Sequence, residues 1–271
     1  MESKRVEPAR IGGTALKNGL VLQSERFWAA AVRGQDGSMH VASGRKRMLI
    51  GAATDRVPLV RGLARFGESL ITLAAVRSRL GAAVLPLEST RIAVALAGSL
   101  LATSALRAVA PDSVFVQEAG TALAAFVPAV AVLKDSPIAG YHAAEHKLIG
   151  GREANPEDPL GGQAPKEHDR CGSNLVGPYL VATVLSNWTV RKVLGGRTSV
   201  GSVVAGAVSL GTALEALRWA NRHSGSMGSR LLLAPGRFIQ HHITTTEPTA
   251  AQMEVGQQAL GELLRLEDLA R

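Results

Sequence analysis

Two short segments gather most of the side chains in this chain that could do chemistry. They are Gly140-Tyr141-His142-Ala143-Ala144-Glu145-His146-Lys147 and Glu167-His168-Asp169-Arg170-Cys171-Gly172. On a helix, His142, Glu145 and His146 share one face, because residues three and four apart are surface neighbours. Two imidazoles and a carboxylate can then converge on one point, a ligand geometry for a divalent transition metal such as zinc. In an H-x-x-E-H order of this kind the two His act as ligands and Glu145 as general base. His168 lies 22 residues beyond His146, and Cys171 is the only cysteine in the chain. A lone thiol makes no internal disulfide, so Cys171 is a ligand, a reactive group or a small buried residue. The plainer reading has His142 and His146 bonding backbone or lipid headgroups while Cys171 packs.

A metal held by His142, His146 and either His168 or Cys171 leaves a position for water, whose proton Glu145 could take unless it serves as a fourth ligand. Glu215 lies at the end of a long apolar run, where a carboxylate needs a partner. Lys147 or Arg170 would supply one and place all three around the ligands. The other position for Glu215 is the interfacial end of its helix beside Arg218.

The elements that position these groups follow from the apolar runs. Residues 92–106, 119–133, 174–190 and 198–214 carry no charge, and Val114 to Gln117 extend the second run with only Glu118 inside. Each is near the short limit of about 17 to 25 residues for a bilayer-spanning helix, so the expectation is four membrane helices in a mainly α, polytopic protein. A soluble all-α bundle is the alternative, favoured by a mean hydropathy of only +0.13. With 46% hydrophobic but 4% aromatic residues, the helices must pack through Ala, Val, Leu and Gly, which is compatible with an oligomer.

Charge orients the chain. The formal charge is +8, and residues 1–90 hold 14 Lys and Arg against 7 Asp and Glu. Such a basic third suits an anionic inner leaflet or a nucleic acid on charge alone, and the apolar runs favour the bilayer. Basic residues before the first run, between Lys134 and Arg170 and after Arg218 place both termini and the reactive loop in the cytoplasm of a multi-pass plasma-membrane (inner-membrane) protein, with the turn near Asp112 outside. Arg191, Lys192 and Arg197 resist this topology, since they fall on the outer side. No apolar segment with a cleavage site follows the charged opening residues, so no signal peptide is expected.

The expected divisions are a basic β-rich segment (1–57), an amphipathic interfacial helix (58–90), the membrane helices with their cytoplasmic loop (91–217) and a C-terminal segment (218–271). Ile11 to Ala42 reads as a small β hairpin unit. From Pro58 to Leu80 the spacing predicts a helix lying on the membrane or against the spans. Pro235-Gly236 should break the chain, Thr244 to Pro248 should cap a helix, and residues 249–268 should form it.

In this order, PLVRGLARFGESL, GYHAAEHKLIGG, HDRCGSNLV, LEALRW and APGRFIQHHITTTEPTAAQMEVGQQAL resemble the bacterial YqhQ family from about Ile11 to Leu260. That resemblance implies a membrane protein of a kind usually labelled a metal-dependent enzyme. Its recurring patterns YHGAEHK, HPRCGTSF, a late membrane Glu and QxLTTREP correspond here to Tyr141, His142, Glu145, His146 and Lys147; to His168, Arg170, Cys171 and Gly172; to Glu215; and to Thr244, Thr245, Glu247 and Pro248. Gln240 falls one position out of register with the last pattern and receives no role. The family opening IGGQAVIEGVMMRGP is altered: Thr14 and Asn18 replace its Gln and Glu, and the Met-Met-Arg stretch is gone. Asp169 stands where the family has proline.

The function expected from these residues is a membrane-embedded, metal-dependent enzyme, hydrolytic in type, acting at the cytoplasmic face on a lipid-linked or membrane-protein substrate. The alternative is a non-catalytic membrane factor for assembly or metal handling that uses the His and Cys cluster structurally.

Overall fold

The computed structural model describes residues 10–49, 51, 54–81, 90–111, 113–156, 164–194 and 198–270. The expected outer turn at Asp112, together with Arg197, lies outside them. Four strands open the fold, β1 (Gly12–Leu16), β2 (Gly19–Gln23), β3 (Phe27–Arg33) and β4 (Met39–Arg45), in an antiparallel meander of order β1-β2-β3-β4. The expected hairpin is thus half of a larger sheet. Its inner strands are apolar at nearly every position because both faces are covered. Leu20, Leu22, Ala29 and Ala31 pack on one face against two helices, α5 (Pro137–Ala154) and α9 (Ala250–Leu269). Val21, Trp28, Ala30 and Val32 pack on the other with Val76 of α1 (Val60–Leu80).

The amphipathic helix α1 therefore covers a sheet with its C-terminal half. Its N-terminal half meets a later helix, α7 (Ser199–Arg222), where Arg61 Nε donates to Glu215 at 2.7 Å. Glu68 on the same helix is buried and takes Lys46 at 3.3 Å and the Leu49 N–H at 2.9 Å.

Among the described residues, three helical stretches are long and apolar enough to cross a membrane: α2 (Thr90–Val109), the pair α3 (Val114–Ala124) and α4 (Val127–Leu133), and α7. Leu100, Leu101, Val109 and Val203 are each at least 70% exposed, as expected of side chains that face lipid. The fourth expected span, α6 (Val176–Leu194), falls short by composition, because Pro178, Asn187, Arg191 and Lys192 dilute its apolar residues. The second span is interrupted where Pro128 lacks the N–H that would reach the Ala124 carbonyl. Ser99 of α2 donates its hydroxyl to that carbonyl at 2.7 Å, so the break leaves it satisfied. Two charges that sat awkwardly in the sequence meet here, since Arg191 reaches Glu118 at 3.0 Å and Gln117 at 2.9 Å.

Pro235 and Gly236 do not break the chain; they lie inside α8 (Met227–Ile239). A Cβ on Gly236 would collide with the backbone and side chain of Asn174, so the glycine lets α8 press directly on the turn that follows Cys171. A π turn over Gln240–Thr244 then leads to α9. The helix cap is Thr249, paired with Gln252 in a capping box, and not the Thr244 to Thr246 stretch.

Candidate metal centre

α5 carries the central groups, and its packing decides where they point. Tyr141, Ala144 and Leu148 are buried against the sheet and α9. The stripe of His142, Glu145 and His146 consequently faces the other way, into a cavity of about 490 Å³ shared with β1, α4 and the Cys171 turn. One ligand-type atom from each of His142, His146 and Cys171 lies within 4.8 Å of the others. His142 Nε2 and Cys171 Sγ are 3.2 Å apart, and the two His rings stand 4.3 Å apart between centroids.

Both histidines are oriented by backbone. His142 Nδ1–H donates to the Thr244 carbonyl at 2.9 Å, and His146 Nδ1–H donates to the Lys166 carbonyl at 2.6 Å. A proton held on Nδ1 leaves Nε2 as a free lone pair, the usual arrangement for an imidazole that binds a metal. Cys171 caps the short 3-10 turn Gly172–Leu175, and its sulfur accepts from the Ser173 N–H at 3.4 Å.

Glu145 is buried beside these groups, and no described residue donates a hydrogen bond to it. Burial pushes its carboxyl above the usual range, against the partial opposing pull of His142 and His168. Gly13 of β1 makes its place: a Cβ there would lie 2.8 Å from Glu145 Cγ. This accounts for Gly13, whereas a Cβ on the preceding Gly12 would meet nothing within 4 Å.

The remaining predicted residues separate. His168 lines the cavity with its ring 5.7 Å from that of His146, but its Nε2 turns to Glu153 at 3.2 Å. Arg170 pairs with Glu153 and donates to the Ile11 carbonyl at 2.9 Å, tying the loop to β1. Burial raises the Glu153 carboxyl, yet His168 and Arg170 outweigh it and hold the group below its ordinary value. Lys147 points off the stripe and pairs with Glu247. Glu215 bonds Arg61 and is not part of the cavity, so neither Lys147 nor Arg170 is its partner.

Four contributors escaped sequence reasoning. Thr244 presents its carbonyl to His142, while its own buried hydroxyl has no partner among the described residues. Lys166 supplies the matching carbonyl for His146. Gln23 lines the cavity from β2, donating to Ser69 and leaving Oε1 buried without a donor. Gln240, fully buried, accepts the His168 N–H at 2.8 Å and donates to Asn174 Oδ1 at 3.2 Å. It opens the π turn, in which the Thr245 N–H reaches back five residues to the Gln240 carbonyl. Asp169, which stands at the proline position, forms a two-pronged pair with Arg237 of α8 at 2.8 Å on each prong.

A family profile described as a protein of unknown function, DUF1385, matches residues 57–266. An uncharacterised Bacillus subtilis protein, YqhQ, is 34% identical over 139 residues, which cover 48% of this chain and 41% of that protein. No solved structure matches.

Proposed function

The chain belongs to the DUF1385 family, and we propose that it is a membrane-embedded enzyme whose centre, His142, His146 and Cys171, holds a divalent metal, zinc by donor type, beside Glu145 at the cytoplasmic face. The observation that carries this reading is the pair of Nδ1-to-carbonyl bonds, which turn two Nε2 atoms and one sulfur toward a common point. Two imidazoles and a thiolate suit zinc and leave a coordination position open. When bound, such an ion would supply a Lewis acid and an acidified water. Glu145 would accept the proton at a carboxylate oxygen, and its burial, with no donor among the described residues, favours such a transfer. The Glu153, His168 and Arg170 cluster would hold the loop in place, and Lys147 would contribute by its charge near the rim.

The topology follows from the shared core. The sheet precedes the first span and α9 follows the last, yet they pack together with α5 between them. All three therefore lie on one side of any membrane that the chain crosses. α6, whose composition falls short of a span, packs beside the second apolar stretch, with Arg191 paired to Glu118. Basic flanks place the sheet side in the cytoplasm, against an anionic leaflet of the plasma membrane.

A second reading rests on the 3.2 Å approach of Cys171 Sγ to His142 Nε2, the reach of a nucleophile and its base. One comparison separates the two. A panel of fluorogenic ester and phosphodiester amphiphiles in micelles should be turned over by wild type, and Glu145→Gln should lose turnover while keeping its metal. Turnover by metal-free protein that dies on thiol alkylation would favour the nucleophile. Unchanged turnover in Glu145→Gln would remove Glu145 from the chemistry.

A further inference from the structure

The cavity has two unlike ends. The site lies at one; at the other, Phe126, Ala129, Val130 and Leu133 from the interrupted second span meet Val176 and Ile239. None of these six side chains offers a hydrogen-bond donor or acceptor. Ala129 and its neighbour Val127 are exposed on the outer surface of α4, so the apolar wall is continuous with the surface of a span. An extended peptide laid there would bring N–H and C=O groups against a wall that cannot pair them, at a cost of several kcal/mol each. An acyl chain has nothing to pair.

We propose that this wall is the tail site of the substrate, which is a lipid or lipid-linked amphiphile whose acyl chain enters from the bilayer beside α4 and whose polar group reaches His142, Glu145 and Cys171. This rests on the reading of the polar end as an enzyme centre, but the tail site makes its own prediction. The interruption at Pro128 then has a use, since it shapes the wall at the depth of the site while Ser99 keeps the Ala124 carbonyl satisfied. The size fits the range of about 300–1,000 Å³ common to small-molecule sites.

The test uses the full chain in nanodiscs containing phosphatidylglycerol with a diazirine near the end of one acyl chain. After irradiation, labelled peptides are mapped by mass spectrometry. The label should concentrate on residues 126–133. In Ala129→Trp or Val130→Phe it should fall by about fivefold or more, because filled space excludes the chain. Val94→Trp, on the exposed face of α2, should leave it unchanged. His142→Ala should keep the tail label whether or not metal is lost, so failure of the metal reading and failure of the tail site are separable. Label spread over the outer faces of α2 and α7 as strongly as on α4, with no fall in either filling variant, would overturn the proposal.

Discussion

Gln240→Leu removes a clasp that no sequence pattern announced. The side chain is fully buried and bridges two parts of the Cys171 loop, accepting from the His168 N–H and donating to Asn174 Oδ1. Leucine fills comparable space but leaves both groups without this partner. Each orphaned buried group costs about 1–3 kcal/mol, and Asn174 keeps its bonds to the His168 and Asp169 carbonyls, so the expected loss is about 2–4 kcal/mol. That loss acts locally, on the segment between α5 and α6. Limited proteolysis of chelator-treated protein in detergent, under conditions where opening is fast relative to cleavage, reads the opening equilibrium of that segment. A cost of about 2 kcal/mol corresponds to cleavage faster by about thirtyfold. Asn174→Leu should weaken the same segment, and the double variant should cost less than the sum of the two, because they share one bond. Cleavage within about twofold of wild type in Gln240→Leu would show that the clasp does not hold the loop.

Gly13→Ala should destabilise the protein by about 1–3 kcal/mol in thermal or denaturant unfolding, since its methyl would press on Glu145; a neutral result would mean that the carboxyl moves freely. For Glu145 the folded carboxyl titrates above the unfolded one, so chelator-treated wild type should lose stability as pH rises through the interval between them. Glu145→Gln should not show that loss, and the two proteins should converge at acid pH; parallel stability curves from pH 4 to 8 would contradict the burial argument. Cys171 should be protected from iodoacetamide by added zinc and released by a chelator, whereas equal alkylation rates would return the thiol to a packing role.

Much of the arrangement was legible because it is local. Helical spacing alone puts His142, Glu145 and His146 on one stripe, and charge-free length finds the three helical stretches apolar enough to span while also counting α6, which falls short. What the sequence hides is mostly backbone and distance. The carbonyls of Thr244 and Lys166 orient the two histidines, and a carbonyl looks the same at every position. Glu215 found its partner in Arg61, 154 residues upstream, so grouping it with the motif cations Lys147 and Arg170 pointed to the wrong partners. Pro235 reads as a breaker, yet it lies inside α8, and the adjacent Gly236 is where that helix presses on Asn174. Gln240 sits in a π turn, something helical periodicity does not reveal. Apolar composition also misled at α6: residues 174–190 carry no charge, yet the helix as a whole falls short of a span.

The most direct test is metal content. Detergent-purified protein, reconstituted with zinc and desalted, should carry stoichiometric metal by elemental mass spectrometry. His142→Ala and His146→Ala should each lose nearly all of it, Cys171→Ser should bind markedly less tightly, and Lys147→Ala should match wild type, because its side chain faces Glu247 instead of the cavity. Full metal content in both histidine variants, or none in the reconstituted wild type, would contradict the assignment of this centre.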